Sequence, residues 1–173
     1  INYQNEIYDV VDKYDQVIGK ATRREIHEKN LMHRSVHVFV FNSYNQIFLQ
    51  KRSNLKDENP GYWDTSAAGH VDSGETYDEC AKRELWEELQ IKESLQYFVK
   101  IQACSETYNE HVQVYLCKTD ASIAINKEEI SEGKYFDWLT LPSLIESSTE
   151  KFTSSFRYIL YKFFKTISNQ QFN

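Results

Sequence analysis

The stretch from Glu75 to Gln90 constrains this chain more than any other, because one helix drawn through it has to meet two opposed demands. No Pro or Gly interrupts residues 76–90, and Thr76 follows the loop Asp72-Ser73-Gly74, so a helix is expected to begin there. At about 100° per residue, Ala81, Leu85 and Leu89 form an apolar stripe, while Glu84, Glu87 and Glu88 fall on the adjoining arc. One edge of the helix therefore packs inward and the next directs its carboxylates into a shared space. Arg83, four residues before Glu87, is placed to hold that carboxylate. Crowded carboxylates raise one another's pKa unless a cation lies between them, and hard oxygen donors of this kind suit Mg²⁺. A bare E-x-x-E-E is ordinarily a solvated face. What argues otherwise is its setting: Gly69, five residues, Glu75, seven residues, Arg83.

Taken whole, GHVDSGETYDECAKRELWEELQI from Gly69 to Ile91 resembles the Nudix box, G-x5-E-x7-R-E-U-x-E-E-x-G-U, in which U is a bulky aliphatic residue. Gly69, Glu75, Arg83, Glu84, Glu87 and Glu88 match the fixed letters, and Leu85 and Ile91 fill the aliphatic positions. One letter departs: Gln90 stands where the family has its last glycine. A Cβ at a left-handed helix exit costs about 1 kcal/mol or more, so the exit geometry is in question while the acidic groups are untouched.

The resemblance implies an α/β/α sandwich with a mixed central sheet, in which the box holds divalent ions, Mg²⁺ or Mn²⁺, against a diphosphate. Glu84, Glu87, Glu88 and the Gly69 carbonyl would be the metal ligands, with Arg83 and Glu75 supporting them. Glu84 would serve as a further ligand or would position the attacking water. The implied reaction is hydrolysis of a nucleoside diphosphate linked to another group, or of a related small diphosphate. The family often adds a base or ligand from outside the box. Of Glu106 and Glu110, Glu110 is the choice, because it opens directly onto the run His111 to Leu116; a solvated turn residue is the alternative.

A weaker resemblance over roughly residues 7–140 points to one branch. Tyr8 to Asn42, the QKRS of Gln50 to Ser53 and the PGYWDTSAAGH of Pro60 to His70 look like Nudix proteins related to isopentenyl-diphosphate isomerase. That raises a rival function, moving a double bond by protonation and deprotonation. The isomerases place a catalytic cysteine just before the Gly-His; here Ala67 and Ala68 stand there, and Ala68 offers neither acid nor thiolate. The isomerases also use histidines for a second metal site, and His27, His33, His70 and His111 fall at comparable places. Isolated histidines are more often surface or hydrogen-bonded core residues. His70, next to Gly69, is expected beside the acidic helix and, with Arg52 of the QKRS run, is assigned to substrate binding. A third reading is a diphosphate-binding module without catalysis; such a protein usually loses acidic ligands, and this chain keeps them.

The 173 residues fit one domain, with the box at 69–91, an N-terminal hairpin extension over about 1–30 and a C-terminal helix over about 150–167. A net charge of −6 disfavours a nucleic-acid partner, which needs a basic footprint, yet allows a small anionic substrate where metal ions supply positive charge. The 3 cysteines, Cys80, Cys104 and Cys117, lack metal-ligand spacing and suit a reduced, cytoplasmic setting. No apolar run reaches the length of a membrane span, and the N-terminus has neither a basic nor an apolar targeting region. The chain opens at Ile1 rather than Met, so residues ahead of it are expected to be missing, and a removed targeting segment stays open.

Alternation predicts strands over Ile7–Asp12, Val17–Lys20, Ser35–Asn42, Gln46–Arg52, Tyr62–Ala68, Gln96–Thr107, His111–Lys118 and Tyr135–Leu139. Short helices are expected at Ala21–Lys29 and Leu141–Glu146, and a long one carrying Phe152, Phe156, Ile159, Leu160, Phe163 and Ile167 on one face. Exposed aromatic strands would support a homodimer.

Overall fold

Local signals become hydrogen-bonded elements across residues 3–171, the backbone that the computed structural model describes; its side chains are described to residue 166. After a 3₁₀ turn at Tyr3–Asn5, β1 (Ile7–Val11) and β2 (Val17–Thr22) form the expected hairpin, reversing near Asp15. Thr22 caps α1 (Arg23–Lys29) in a capping box with Glu25, which starts the helix two residues later than the sequence pattern suggests. Strand β3 (His33–Phe41) opens two residues ahead of the expected Ser35, because it pairs with the incoming strand at Glu110 from His33 onward, and β4 (Gln46–Arg52) follows as predicted.

The expected strand Tyr62–Ala68 is two strands, β5 (Trp63–Asp64) and β6 (Ala67–His70), because the chain changes partner between them. β5 pairs with β4 and β6 with β3. The Ser66 hydroxyl fastens the change, bonding the Val40 N–H and the Phe48 carbonyl. Beyond α2 (Tyr77–Leu89), β7 (Gln96–Ile101) stops short of Thr107, since residues 102–109 turn through Tyr108 and Asn109 at positive φ. Strand β8 (Glu110–Lys118) begins at once, and β9 (Ile130–Asp137) starts earlier than Tyr135 because it pairs along all of β4. Its outer position leaves it mostly exposed, without the alternation that marks a strand in sequence. Helices α3 (Leu141–Ser147) and α4 (Ser154–Gln171) close the chain.

Among the described residues the order β5-β4-β3-β8-β7, with β6 on β3 and β9 on β4, makes one mixed sheet; β3 and β8 run parallel from His33–Glu110 to Phe41–Lys118. Helix α2 covers one face, burying Ala81, Leu85 and Leu89 against Val36, Val38, Val40 and Ala67. On the other face Phe156, Ile159, Leu160 and Phe163 of α4 pack on Phe39, Leu49, Trp63 and Val114. Each such side chain contributes roughly 1.5–3 kcal/mol on burial, so two apolar faces on β3 force a helix onto each side. The result is the α/β/α sandwich; Ile167, assigned to the α4 stripe, lies outside the described side chains. No helix among the described residues is long and apolar enough to cross a membrane.

Period-two alternation on β3 then sets the site. Val36 and Val38 face α2, so His33, Ser35 and His37 face the other way. In register with them, Ala68 and His70 on β6 and Glu110 on β8 share that face, and Gly69 faces α2.

Candidate active site

Helix α2 starts from a capping box between Thr76 and Glu79 and ends at Gln90, which adopts the left-handed conformation at φ 55° and donates its N–H to the Trp86 carbonyl at 2.9 Å. The helix exit is thus made without glycine. Along the helix, Arg83 gathers the acidic groups. It pairs both oxygens of Glu75 at 2.8 and 2.9 Å, and reaches Glu84 at 2.7 Å, Glu87 at 3.2 Å and the His70 carbonyl at 3.2 Å. Glu84 lies directly against Gly69, where an added Cβ would stand 2.7 Å from the Glu84 Cγ and nearer still to its carboxylate. Glu88 is buried, accepting from the Ala68 N–H at 3.2 Å and from the Gln50 amide. Glu87 remains half exposed.

Burial, then the neighbouring charge of Glu88, pushes the Glu84 carboxyl well above its ordinary range. Burial likewise lifts Glu88 to about 7, although Lys56, Gln50 and the Ala68 N–H pull the other way. These are carboxylates held together with too little positive charge between them. All their donors are hard oxygens, so the arrangement fits a divalent cation of the Mg²⁺ type.

On the opposite side of β6, Glu110 accepts from His70 Nε2 at 2.8 Å, and His33 Nε2 stands 3.2 Å from the same oxygen without hydrogen-bond alignment. One ligand atom from each of the three residues falls within 4.8 Å of the others. Burial would raise Glu110, but His70 and His33 outweigh it and hold the carboxyl well below its usual range. Glu106, the other glutamate near this turn, points to solvent. His27 pairs with Glu58 at 3.2 Å and its ring lies 6.3 Å from His70. His111 is elsewhere: its Nε2 contacts the Asp12 carbonyl and its Nδ1 accepts from Ala103, so both nitrogens serve the backbone.

Two cavities adjoin along β6. The first, about 140 Å³, is lined by Arg83, Glu84, Glu87, Glu88 and Glu129; the second, about 90 Å³, by Ser35, His37, Arg52, Asp64 and Glu110. Arg23, Lys56, Ala68, Gly69 and His70 line both. Arg52 donates to the Glu58 carbonyl at 3.0 Å and lies 3.6 Å from Asp64. Arg23 and Lys56 escaped the sequence reading. Each is held by an acid, Arg23 by Asp57 at 2.9 Å and Lys56 by Glu129, and the Tyr3 ring faces both cations. Glu129 was missed as well. These residues come from helix and loop segments far apart in the chain, and only the basic cluster Lys51-Arg52…Lys56 gave any local signal.

The profile of the NUDIX domain matches residues 31–161. The chain belongs to the Nudix family. A protein named isopentenyl-diphosphate Delta-isomerase 2 from Photorhabdus laumondii is 32% identical, with 90% of this chain and 91% of that protein aligned. An uncharacterized Nudix hydrolase, PA4841 of Pseudomonas aeruginosa, is 34% identical over 75% of this chain and 78% of its own. Among solved structures, DR0079 from Deinococcus radiodurans superposes with a TM-score of 0.82 at 28% identity, covering 91% of this chain and 98% of that one. Membership in this Nudix family supports an enzyme that acts on pyrophosphate bonds.

Proposed function

We propose that this Nudix protein, folded as a single domain, is a divalent-metal-dependent pyrophosphohydrolase that cleaves a nucleoside diphosphate linked to another group, or a related small diphosphate. The observation that carries the reading is the set Glu84, Glu87 and Glu88: Arg83 bonds the first two, the Ala68 N–H and the Gln50 amide hold the third, and Glu84 and Glu88 have raised pKa values. Glu84, Glu87, Glu88 and the Gly69 carbonyl would hold Mg²⁺ or Mn²⁺. Bound there, such an ion would neutralise charge on the phosphoryl oxygens as the bond to phosphorus changes.

The chain's own residues supply the rest. Arg83 ties Glu84 and Glu87 to Glu75, so the geometry of those two ligands is set before substrate arrives. Arg23 and Lys56, which line both cavities, and Arg52 in the second bring cationic donors to an incoming diphosphate. His70 and Glu110 form a hydrogen-bonded pair at the junction and can orient substrate. Glu75 anchors Arg83 from the far side.

The isomerase-named relative motivates a second reading, in which the same site shifts a double bond. Ala68 weighs against it: it lines the second cavity and has no ionisable group, while Cys80 is buried within α2 on the other face of the sheet. Burial pushes the Cys80 thiol up, further from a reactive thiolate.

Phosphate or nucleotide release from a panel of diphosphates, prenyl diphosphates included, with Mg²⁺ and Mn²⁺, tests the proposal in wild type and Glu87→Gln. Metal-dependent cleavage that falls at least 100-fold in Glu87→Gln is expected. Binding without turnover in either protein would sink hydrolysis in favour of a binding module, and isomer formation would favour the second reading.

A further inference from the structure

The cavity on the α4 side of the sheet contains a buried hydroxyl with nothing to bond. Ser35 sits on β3 between His33 and His37, is 2% exposed, and its Oγ has no hydrogen-bond partner. Buried polar groups left unsatisfied are uncommon in folded proteins, because the desolvation cost goes unreturned. Arg23 Nε, on a residue lining the same cavity, is also unpartnered.

The remaining walls are polar and already ordered. His37 is held by the Thr65 hydroxyl at 2.7 Å. Thr153 accepts the Phe156 N–H at 3.1 Å, and Ser155 donates to the Glu106 carbonyl at 3.2 Å. A hydrocarbon group placed here would strand Ser35 and face polar groups it cannot satisfy. The cavity is small, about 90 Å³, on the order of a few water-sized groups, which suits a short polar fragment. Because Arg23, Lys56 and the β6 backbone border both cavities, a diphosphate lying across β6 would direct its organic end into this one.

We infer that this cavity is the subsite for the group attached to the diphosphate, and that the group is small and hydroxylated, a short polyol or sugar-like fragment bonded by Ser35. The placement of the diphosphate rests on the hydrolase reading above; the chemistry of the subsite rests on the cavity itself.

The test uses two non-hydrolysable ligands of equal charge, the 2,3-dihydroxypropyl and n-propyl esters of methylenediphosphonate. Each is titrated by calorimetry, with Mg²⁺ present, into wild type and Ser35→Ala. The dihydroxypropyl ester should bind wild type at least tenfold more tightly, about 1.4 kcal/mol, and Ser35→Ala should shrink that preference below threefold. The substitution removes a hydroxyl without partners, so the melting temperature should not fall. Equal affinities, tighter binding of the propyl ester, a preference unchanged in Ser35→Ala, or no binding of either ester would each overturn the inference. Hydrolysis of the diphosphate panel that depends on Glu87 is read separately: cleavage together with equal ester affinities keeps the hydrolase and removes the subsite, and a preserved preference without cleavage does the reverse.

Discussion

Gly69→Ala separates the position of Glu84 from the stability of the fold. Gly69 does not need positive φ, so a methyl group there meets no backbone strain; its nearest obstacles are atoms of the Glu84 side chain. The new Cβ would stand 2.7 Å from the Glu84 Cγ, whereas ordinary contact begins at 3.4 Å, so Cγ must retreat by about 0.7 Å. The carboxylate, which lies closer to the intruding Cβ, must move further, on the order of 1 Å, because van der Waals repulsion rises steeply inside contact distance. That movement also pulls on Arg83, which bonds Glu84 at 2.7 Å and Glu75 at 2.8 Å. Displacements of about 1 Å in a preorganised site cost roughly 100-fold in rate, equivalent to about 2.7 kcal/mol of barrier. The folding cost stays near 1 kcal/mol, since the obstructing atoms belong to a flexible side chain. Thermal melts and steady-state hydrolysis on the same preparations report the two effects. A Gly69→Ala protein that folds normally and hydrolyses at the wild-type rate would refute the claim that Glu84 acts from this position.

Gln90→Gly should stabilise by about 1 kcal/mol, raising Tm by roughly 2–4 °C, because glycine accepts the left-handed exit without a Cβ clash; an unchanged or lower Tm would count against that account of φ 55°. Glu88 carries a folded-state pKa of about 7, above the ordinary 4.5. Its contribution is therefore full below pH 4.5 and is lost as pH rises to about 7, so in chelator Glu88→Gln should gain on wild type by up to roughly 3 kcal/mol across that window. Denaturant titrations whose difference stays constant with pH would contradict this. Glu110→Gln removes the anion that His70 and His33 face, with an expected loss of about 3 kcal/mol at neutral pH and a downward move of the His33 titration followed by NMR. A His33 titration that does not move would show that Glu110 is not what holds it up.

The histidines show how far a linear reading reaches. His27, His33, His70 and His111 stood out together in the sequence, but strand alternation divides them. Position 33 pairs with Glu110 across the parallel β3–β8 ladder and shares its face, whereas position 111, one residue on, points to the other side. A shift of one residue reverses a side chain in a strand, and no single-strand pattern announces which register two distant strands will adopt. Glu110 was chosen because it opens a strand; that it faces His70 rather than solvent was decided by the same ladder.

Whatever depends on neighbours within one or two helical turns was settled by the order of the residues. The α2 helix, its capping box, the arc of Glu84, Glu87 and Glu88 and the grip of Arg83 all follow from spacings of one, three, four and eight residues. The left-handed exit at Gln90 is also local, and the chain forms it despite the missing glycine because its N–H closes onto Trp86. Tertiary structure decided the rest. The split of Tyr62–Ala68 into two strands, the length of β9, the meeting of Arg23, Lys56 and Glu129 around the carboxylates, and the solitary hydroxyl of Ser35 depend on pairings between segments tens of residues apart. Such pairings are selected by the burial and hydrogen bonding of the whole sheet, a free energy that belongs to no single stretch of sequence.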